Sequence, residues 1–369
     1  MLNTTLKAFV WTIVLLLSAP VFSSSSAEGE PIDVTEMIMH HIKDAHEWHI
    51  LSYPDNNGVK QHVSVSLPII LIDGGLKVFS SKRLYHESAP VEVVVADGKK
   101  DYYVANEELG YGIFHETIYK LNSAGMLDFD TEGHVLNSKP YDFSITKHVF
   151  TLFFSSIVLF LLLRAAVKSY KSDGLHPPRG IARFVEPIVI FVRDDIAKEN
   201  IGEEKYRKYM PYLLSAFFFI WINNMLGLVP IFPGGSNLTG DISFTLTLAL
   251  ITMLITVFSG NKNYWRHIFA TPGVPVPLLL IMIPVEIVGI FAKPFALMVR
   301  LFANITAGHI IILSLTGIIF TFGSAAWAGL SIPMSLFLLI LKLLVAFLQA
   351  FIFTMLSALF IGGAVAEEH

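Results

Sequence analysis

The sequence contains no cysteine and few charged residues. Without cysteine the chain has no disulfide bonds, no thiol redox chemistry and no thiolate metal site. The net charge of −4 favours no nucleic acid partner, and no Gly-rich phosphate loop is present. The sequence therefore predicts neither a nucleotide site nor a cofactor. Only 15% of the 369 residues are charged and 53% are hydrophobic, which is typical of a polytopic membrane protein.

Five long apolar runs follow one another in the second part of the chain. They cover residues 148–163, 212–231, 242–258, 281–322 and 331–365. Because about 20 residues cross a bilayer at right angles to its plane, the last two runs predict long, tilted helices. Several prolines at the start of the fourth run predict a kinked or partly in-plane beginning: Pro272, Pro275, Pro277 and Pro284. The predicted fold class is an all-α polytopic membrane protein with about five membrane helices.

The first 147 residues have a different composition. Residues 1–27, with Lys7, an apolar core and the small-x-small pattern Ser25-Ser26-Ala27, predict a secretory signal peptide. An uncleaved anchor is the alternative, although the apolar core is short for a span. Residues 28–147 are polar and mixed in charge, and apolar and polar residues alternate in 62–67. The stretch also predicts a hairpin in which 93–96 pairs with 102–104. We expect a small, mostly β extracytoplasmic domain here and a membrane domain over 148–369.

Four histidines lie close together near the start of this domain: His40, His41, His46 and His49. On a helix, His46 and His49 would share one face, which allows a zinc pair or a collector of protons. A solvated helix without either role is the favoured interpretation, because no closed four-ligand spacing is present. The sequence therefore predicts no metal site.

The distribution of Lys and Arg predicts the topology. Residues 164–208 are rich in both and residues 261–267 carry two more, whereas 232–240 and 323–329 carry none. Positively charged loops stay in the cytoplasm, so we expect 28–147 outside and the C-terminus inside a bacterial plasma (inner) membrane. Residues 183–196 mix apolar and charged positions around Pro187, which predicts a helix on the membrane lipid surface.

Arg300 lies inside the fourth apolar run. A guanidinium at this depth costs about 2.5–3.5 kcal/mol on insertion scales, so it indicates a functional site. A snorkelling residue near a helix end is the alternative, but no interface is close enough. Arginine stays protonated, so Arg300 can act only as a fixed positive charge. Glu286, the nearest upstream carboxylate, lies about 21 Å along the helix, so a carboxylate of another subunit is the expected partner.

One face of the same helix carries a polar stripe. Glu286, Lys293, Arg300, Asn304 and Ala307 fall within about 60° of one another at about 100° per residue. His309 points to the opposite side of the helix.

Two segments carry a resemblance to a known family. Residues 300–309 read Arg-Leu-Phe-Ala-Asn-Ile-Thr-Ala-Gly-His, and residues 349–354 read Gln-Ala-Phe-Ile-Phe-Thr. Together they resemble the signature segments of subunit a of F-type ATP synthase, over roughly residues 146–369. The resemblance implies a stator subunit with two proton half-channels and no catalytic site of its own. Its implied partners are the ring of c subunits, the b subunits of the peripheral stalk and other ATP synthase subunits.

The resemblance also implies individual roles. Arg300 faces the carboxylate of each passing c subunit, and Glu286 belongs to the cytoplasmic half-channel. Asn304 and Gln349 belong to the outer half-channel, although both could simply join helices by hydrogen bonds. The family commonly has only a short tail where this chain has residues 28–147, so no role is implied for them.

His309 and Lys342 occupy positions that in the family are usually one acid and one histidine. With a lysine at 342 the identity of the outer acid is open, since two positive charges would repel each other. Gly227 stands where some relatives carry an acid. Asp241 is the candidate for the missing acid, with a simple N-cap of the following helix as an equal alternative.

A secondary transporter is the competing hypothesis, in which Arg300 binds an anionic substrate at the midplane. The sequence shows no two similar halves with paired broken helices. A third hypothesis, a structural scaffold, leaves the buried Arg300 unexplained.

Overall fold

The computed structural model describes residues 43–54, 60–88, 90–94, 100–171, 180–229, 232–270, 275–322 and 325–366. The predicted signal peptide, His40 and His41 lie outside these residues. Contacts divide the chain into two compact units. The first contains Met39–Phe150 and the segment Pro230–Ser236, and the second contains Thr151–Val229 and Asn237–His369.

The described part of the first unit contains three small antiparallel sheets and one short helix, in agreement with the predicted β domain. The sheets have the orders β1-β2, β4-β3-β9 and β5-β6-β7-β8. The elements are β1 Glu47–Pro54, β2 Lys60–Ser66, β3 Pro68–Ile72, β4 Leu76–Ser80, α1 Lys82–Tyr85, β5 Pro90–Val94, β6 Lys100–Asn106, β7 Tyr111–Phe114, β8 Thr117–Lys120 and β9 Tyr141–Asp142.

Alternating apolar side chains explain this core. Ile69 and Leu71 of β3 are fully buried and cluster with Leu84, Tyr111 and Ile113. The predicted hairpin forms, because β5 pairs with β6, but its predicted register is wrong: residues 102–104 pair with 90–92 rather than with 93–96, and Val93 faces Asp101. Its turn, residues 95–99, lies outside the described residues.

The prediction that His46 and His49 share a helix is wrong. His46 directly precedes β1 and His49 lies within it, since this segment pairs with β2. Cross-strand pairing of apolar residues such as Trp48 with Val65 outweighs the local helical spacing. His46 is buried, with Nε2 3.1 Å from a carboxylate oxygen of Asp142. Among the described residues no cluster of three or more metal-ligating side chains occurs.

Asp142 stays ionised in this pair. Its burial opposes ionisation, but the hydrogen bonds with His46 and Ser144 outweigh that effect and hold the pKa of the Asp142 carboxyl below its usual value.

The first turn of the first membrane helix is hydrogen-bonded to the segment just before β1. The backbone N–H of Lys147 donates to the carbonyl of Ala45, and that of His148 donates to a carboxylate oxygen of Asp44, each at 3.0 Å.

The second unit is helical. Its elements are α2 Lys147–Lys171, whose first turn belongs to the first unit, α3 Ile181–Phe191, a π-helix Val192–Lys198, α4 Glu199–Ile201, α5 Tyr206–Leu228, a short 3₁₀ turn Leu238–Gly240, α6 Ile242–Ser259, α7 Lys262–Phe269, α8 Val276–Phe322 and α9 Ala325–Val365.

Five of these helices are long and apolar enough to cross a membrane, counting only the part of the chain that the structure describes. They are α2, α5, α6, α8 and α9, in agreement with the five predicted spans. The apolar stretches of α8 and α9 cover 39 and 37 residues, well beyond the roughly 20 that a perpendicular span needs. Tilt of these two helices remains a prediction, as does the surface position of α3.

The core of this unit forms where α9 packs on α5 and α8, and α8 packs on α6. The C-terminal end of α9 is tied to two cytoplasmic-side segments of the predicted topology. Lys205 and Asn261 both donate side-chain hydrogen bonds to the carbonyl of Val365, at 2.9 and 2.8 Å. Near the same end, the backbone of Gly362 lies directly against the backbone of Asn200 in α4. These contacts fix the last turns of α9, because helix-end carbonyls have no partner within the helix itself.

Candidate functional site

Arg300 lies on an exposed face of α8. On the adjoining side of the helix Leu297, Met298 and Leu301 are buried in the core. No acidic side chain of the described residues forms an ion pair with Arg300. An exposed guanidinium in the middle of an apolar helix needs a compensating group, and this face is where a group from outside the chain can approach.

Small residues flank Arg300 on that face. Ala292, Ala296, Ala303 and Ala307 are all exposed and, with Arg300 between the second and the third, form a series at three- and four-residue spacing along α8. Small side chains let the backbone of another membrane helix approach closely. The alanines therefore leave room beside the arginine for another membrane helix.

A cavity on one side of Arg300 along α8 brings together three of the predicted residues. It is lined by Asn304 and His309 of α8 and by Lys342 of α9, together with Asn224, Gly227, Asn237 and Thr239 among others. The cavity is polar on several sides and has room for a water molecule. We call it the outer cavity, after the side of the membrane that the sequence predicts for it.

His309 and Lys342 are held in specific positions in the outer cavity. The His309 ring nitrogens lie 3.2 Å from the carbonyl oxygens of Ile305 and Gly227. Gly227 therefore contributes its backbone to the site although it has no side chain. Lys342 packs over Gly308: a Cβ at that glycine would lie 2.7 Å from Cε of the lysine. The glycine leaves the space that the lysine chain occupies.

Asn224 was not among the predicted site residues, but it joins three elements at this cavity. Its amide donates to the carbonyl of Ala346 in α9 at 3.1 Å, and its carbonyl oxygen accepts from the Thr239 hydroxyl at 2.7 Å. Asn237 is also buried, and neither polar atom of its side chain has a hydrogen-bond partner among the described residues. An asparagine within an apolar run was the only sequence signal for Asn224, and nothing in the sequence indicated that Asn237 and Thr239 meet it.

We expect Asn224→Ala to lower the stability of the folded chain by about 1–2 kcal/mol, because two hydrogen bonds between different elements are lost. Thermal unfolding of the purified chain in detergent measures this change. Asn223→Ala is the matched control, because among the described residues the Asn223 amide donates only within its own helix, to the carbonyl of Phe219. Equal losses of stability in both variants would contradict the joining role of Asn224.

A second cavity lies on the other side of Arg300, which we call the inner cavity. Its lining includes Thr256, Tyr264, Lys293 and Leu297. The Lys293 ammonium lies 5.6 Å from the ring centre of Phe360. Burial, and next the negative charge of Glu286, raise the pKa of the Tyr264 hydroxyl. Glu286 thus lies close enough to the lining residue Tyr264 to act on it electrostatically.

The two cavities do not share a lining residue. Along α8 the inner cavity ends at Leu297 and the outer one begins at Asn304, a rise of about 10 Å. Leu301 lies between them on the same helical face and is buried. Arg300 lies at this level on the exposed face, so the only charge between the two cavities on α8 is the one that faces outward.

Two further predicted residues line neither of these cavities. Gln349 of α9 is buried. Asp241 caps α6, and its carboxylate accepts from the backbone N–H groups of Ser243 and Phe244 at 2.7 and 3.4 Å. The N-cap alternative for Asp241 is therefore confirmed, and its role as an outer acid stays a prediction.

Comparisons with known proteins cover most of the chain. A family model described as ATP synthase A chain matches residues 121–362, and a model described as a domain of unknown function matches residues 37–143. The chain is 43% identical over 313 residues to "ATP synthase subunit a 2" of Prosthecochloris aestuarii, covering 82% of this chain and 92% of the relative. It is 40% identical over 324 residues to "ATP synthase subunit a" of Chlorobium phaeobacteroides, covering 83% and 94%. Both alignments are longer than the stretch 148–369, so these relatives share part of the preceding domain.

Proposed function

Because the chain belongs to the ATP synthase A chain family, we propose that it is the stator subunit of the ATP synthase membrane sector and forms two proton half-channels against a ring of c subunits. The relatives are named ATP synthase subunit a, and this chain is a multi-pass membrane protein like them. In this proposal proton movement through the half-channels is coupled to rotation of the ring and to ATP synthesis. The chain itself contributes no nucleotide site.

The observation that carries the proposal is the position of Arg300. It lies on an exposed, alanine-flanked face, at the level that separates a polar outer cavity from an inner cavity. A fixed positive charge there favours the ionised form of a carboxylate that passes it and repels a proton that would cross directly. Both effects are needed for a proton path that leads through the carboxylate of the partner.

The other residues take roles on the two sides of Arg300. Asn304, His309 and Lys342 line the outer cavity and, with Gln349, would conduct protons from the outer solvent. Glu286, which acts on Tyr264 at the inner cavity, would conduct them to the cytoplasm. Because the positions of His309 and Lys342 carry no acid, Asp241 is the proposed outer acid.

The topology follows from the same proposal. We place the chain in a bacterial plasma membrane with residues 28–147 outside, the C-terminus in the cytoplasm, and b subunits of the peripheral stalk among its partners. The concentration of Lys and Arg in residues 164–208 supports this orientation.

Disulfide cross-linking tests the interface, and a chain without cysteine needs no background changes. We expect Ala296→Cys and Ala303→Cys in the assembled complex to form disulfides with cysteines placed beside the buried carboxylate of the c subunit. Phe258→Cys is the control, since this exposed side chain belongs to α6 and not to α8, the helix that carries Arg300. The readout is a cross-linked band of the two subunits on a non-reducing gel.

The outcome separates the two hypotheses from the sequence. A secondary transporter would have no small partner with a buried carboxylate, so no specific cross-link would form. Arg300 would instead bind an anionic substrate. Cross-links of equal yield at residues 258, 296 and 303 would also contradict the proposed interface.

A further inference from the structure

The sheet β4-β3-β9 of the first unit has two faces of different character. Ile69 and Leu71 point into the core. The alternate positions point to the other side, because successive side chains of a strand lie on opposite faces. The antiparallel register places Ile72 opposite Leu76 and Tyr141, and Ile70 opposite Val78. We call this second side the apolar sheet face; it comprises Ile70, Ile72, Leu76, Val78, Tyr141 and Phe143.

The apolar sheet face is open over most of its area. Leu76 is 69% exposed, Val78 60%, Tyr141 76% and Phe143 64%. A contiguous apolar face of this kind on a folded domain indicates an interaction surface, because isolated domains rarely leave several large neighbouring side chains in water.

The charged residues of these strands are turned away from the apolar sheet face. Lys77 is paired with Leu71, and its ammonium lies 4.9 Å from the ring centre of Tyr111. Asp142 is also paired with Leu71 and binds His46. Both therefore lie on the core side of the sheet. The partner of the face must be apolar, since it would meet no charge there.

The chain continues from this face directly into α2, a helix long and apolar enough to cross a membrane. Phe143 precedes Lys147, the first residue of the membrane helix α2, by four residues. Four residues span at most about 14 Å, so the sheet lies no farther than this from the start of the helix. The interfacial region of a bilayer is several Å thick on each side, and it is where tyrosine and other aromatic rings concentrate.

We propose that the apolar sheet face rests on the bilayer surface at which α2 begins, with Leu76, Tyr141 and Phe143 in contact with lipid. The first unit then lies on the membrane rather than projecting from it on a stalk. The inference concerns lipid binding by residues that the family function does not involve, and it does not depend on the proposed proton path.

Spin labelling of the full chain tests this proposal. Single cysteines are introduced as Leu76→Cys, Val78→Cys and Tyr141→Cys, with Lys77→Cys as the control in the same strand on the opposite face. Each labelled chain is reconstituted into nanodiscs of phosphatidylethanolamine and phosphatidylglycerol. We expect a ratio of oxygen to water-soluble nickel collisions several-fold higher at residues 76, 78 and 141 than at residue 77.

Three other results would overturn the proposal. Equal nickel access at all four positions would mean that the face remains in water. Exclusion of both oxygen and nickel from residues 76, 78 and 141 would mean that protein covers it, either a second copy or another segment of the chain. A high ratio of oxygen to nickel collisions at residue 77 as well would mean that the spin label itself, and not the apolar sheet face, inserts into the bilayer. All four positions are on exposed side chains, so the substitutions leave the core unchanged.

Discussion

Replacing Arg300 by alanine is expected to abolish ATP-driven proton pumping in inverted membrane vesicles while the complex still assembles. The side chain is exposed and makes no ion pair within the described residues, so its removal leaves the core of the chain intact. What is lost is the only fixed positive charge between the two cavities on α8. Preorganised charges of this kind are typically worth a factor of about 100 to 1,000, so pumping should fall to about 1% or less.

The measurement is acidification of the vesicle interior on addition of ATP, with co-purification of the other subunits as the assembly check. Arg300→Lys sharpens the result. An ammonium keeps the charge but can lose its proton in a poorly hydrated site, so we expect this variant to be strongly impaired as well. Normal pumping by the alanine variant in an assembled complex would remove the central claim and reopen the transporter hypothesis.

Gly362→Ala is expected to prevent stable folding of the second unit. A Cβ at this position would overlap the carbonyl group of Asn200, and neither backbone can move aside like a flexible side chain. Overpacking of side chains usually costs about 1–3 kcal/mol, so a backbone clash should cost more. We expect little or no Gly362→Ala chain in membranes, measured by immunoblot of membrane fractions and by co-purification.

The neighbouring glycine provides a matched control. Gly363 lies in the same last turn of α9, and a Cβ there would meet no atom of the described residues within 4 Å. Because alanine is the better helix former by about 1 kcal/mol, Gly363→Ala should leave the chain level unchanged or raise it slightly. Similar levels of the two variants would show that the close approach of Gly362 to Asn200 does not matter.

Hydropathy predicted the membrane helices well because their lengths are set by the bilayer, a constraint that acts on each segment separately. The Asp241 cap and the hairpin of β5 and β6 were predictable for the same reason, since both are local. His46 shows the limit. Its helical spacing to His49 was real, but the pairing of β1 with β2 decided the structure, and that pairing depends on residues farther along the chain.

The candidate site divides in the same way. Arg300 could be found from one sequence, because a charge in an apolar run is costly wherever the helix packs. The meeting of Asn224, Asn237 and Thr239 with His309 could not, since it depends on how α5 and α8 lie beside α9. The contact of Gly362 with Asn200 joins segments far apart in the sequence, and two glycines in a row gave no sign of which one is essential.

The narrow separation of the two cavities has an electrical consequence under the proposed function. A membrane voltage falls across poorly conducting material. If the proposed half-channels connect each cavity to its solvent, only the stretch between Leu297 and Asn304, about 10 Å along α8, is left to carry the voltage. The full hydrocarbon layer is about 30 Å thick, so the field at the level of Arg300 would be roughly three times stronger. At 100 mV, one elementary charge that crosses this stretch would then change its energy by about 2.3 kcal/mol, so nearly all of the voltage would act on charge movement at the level of Arg300.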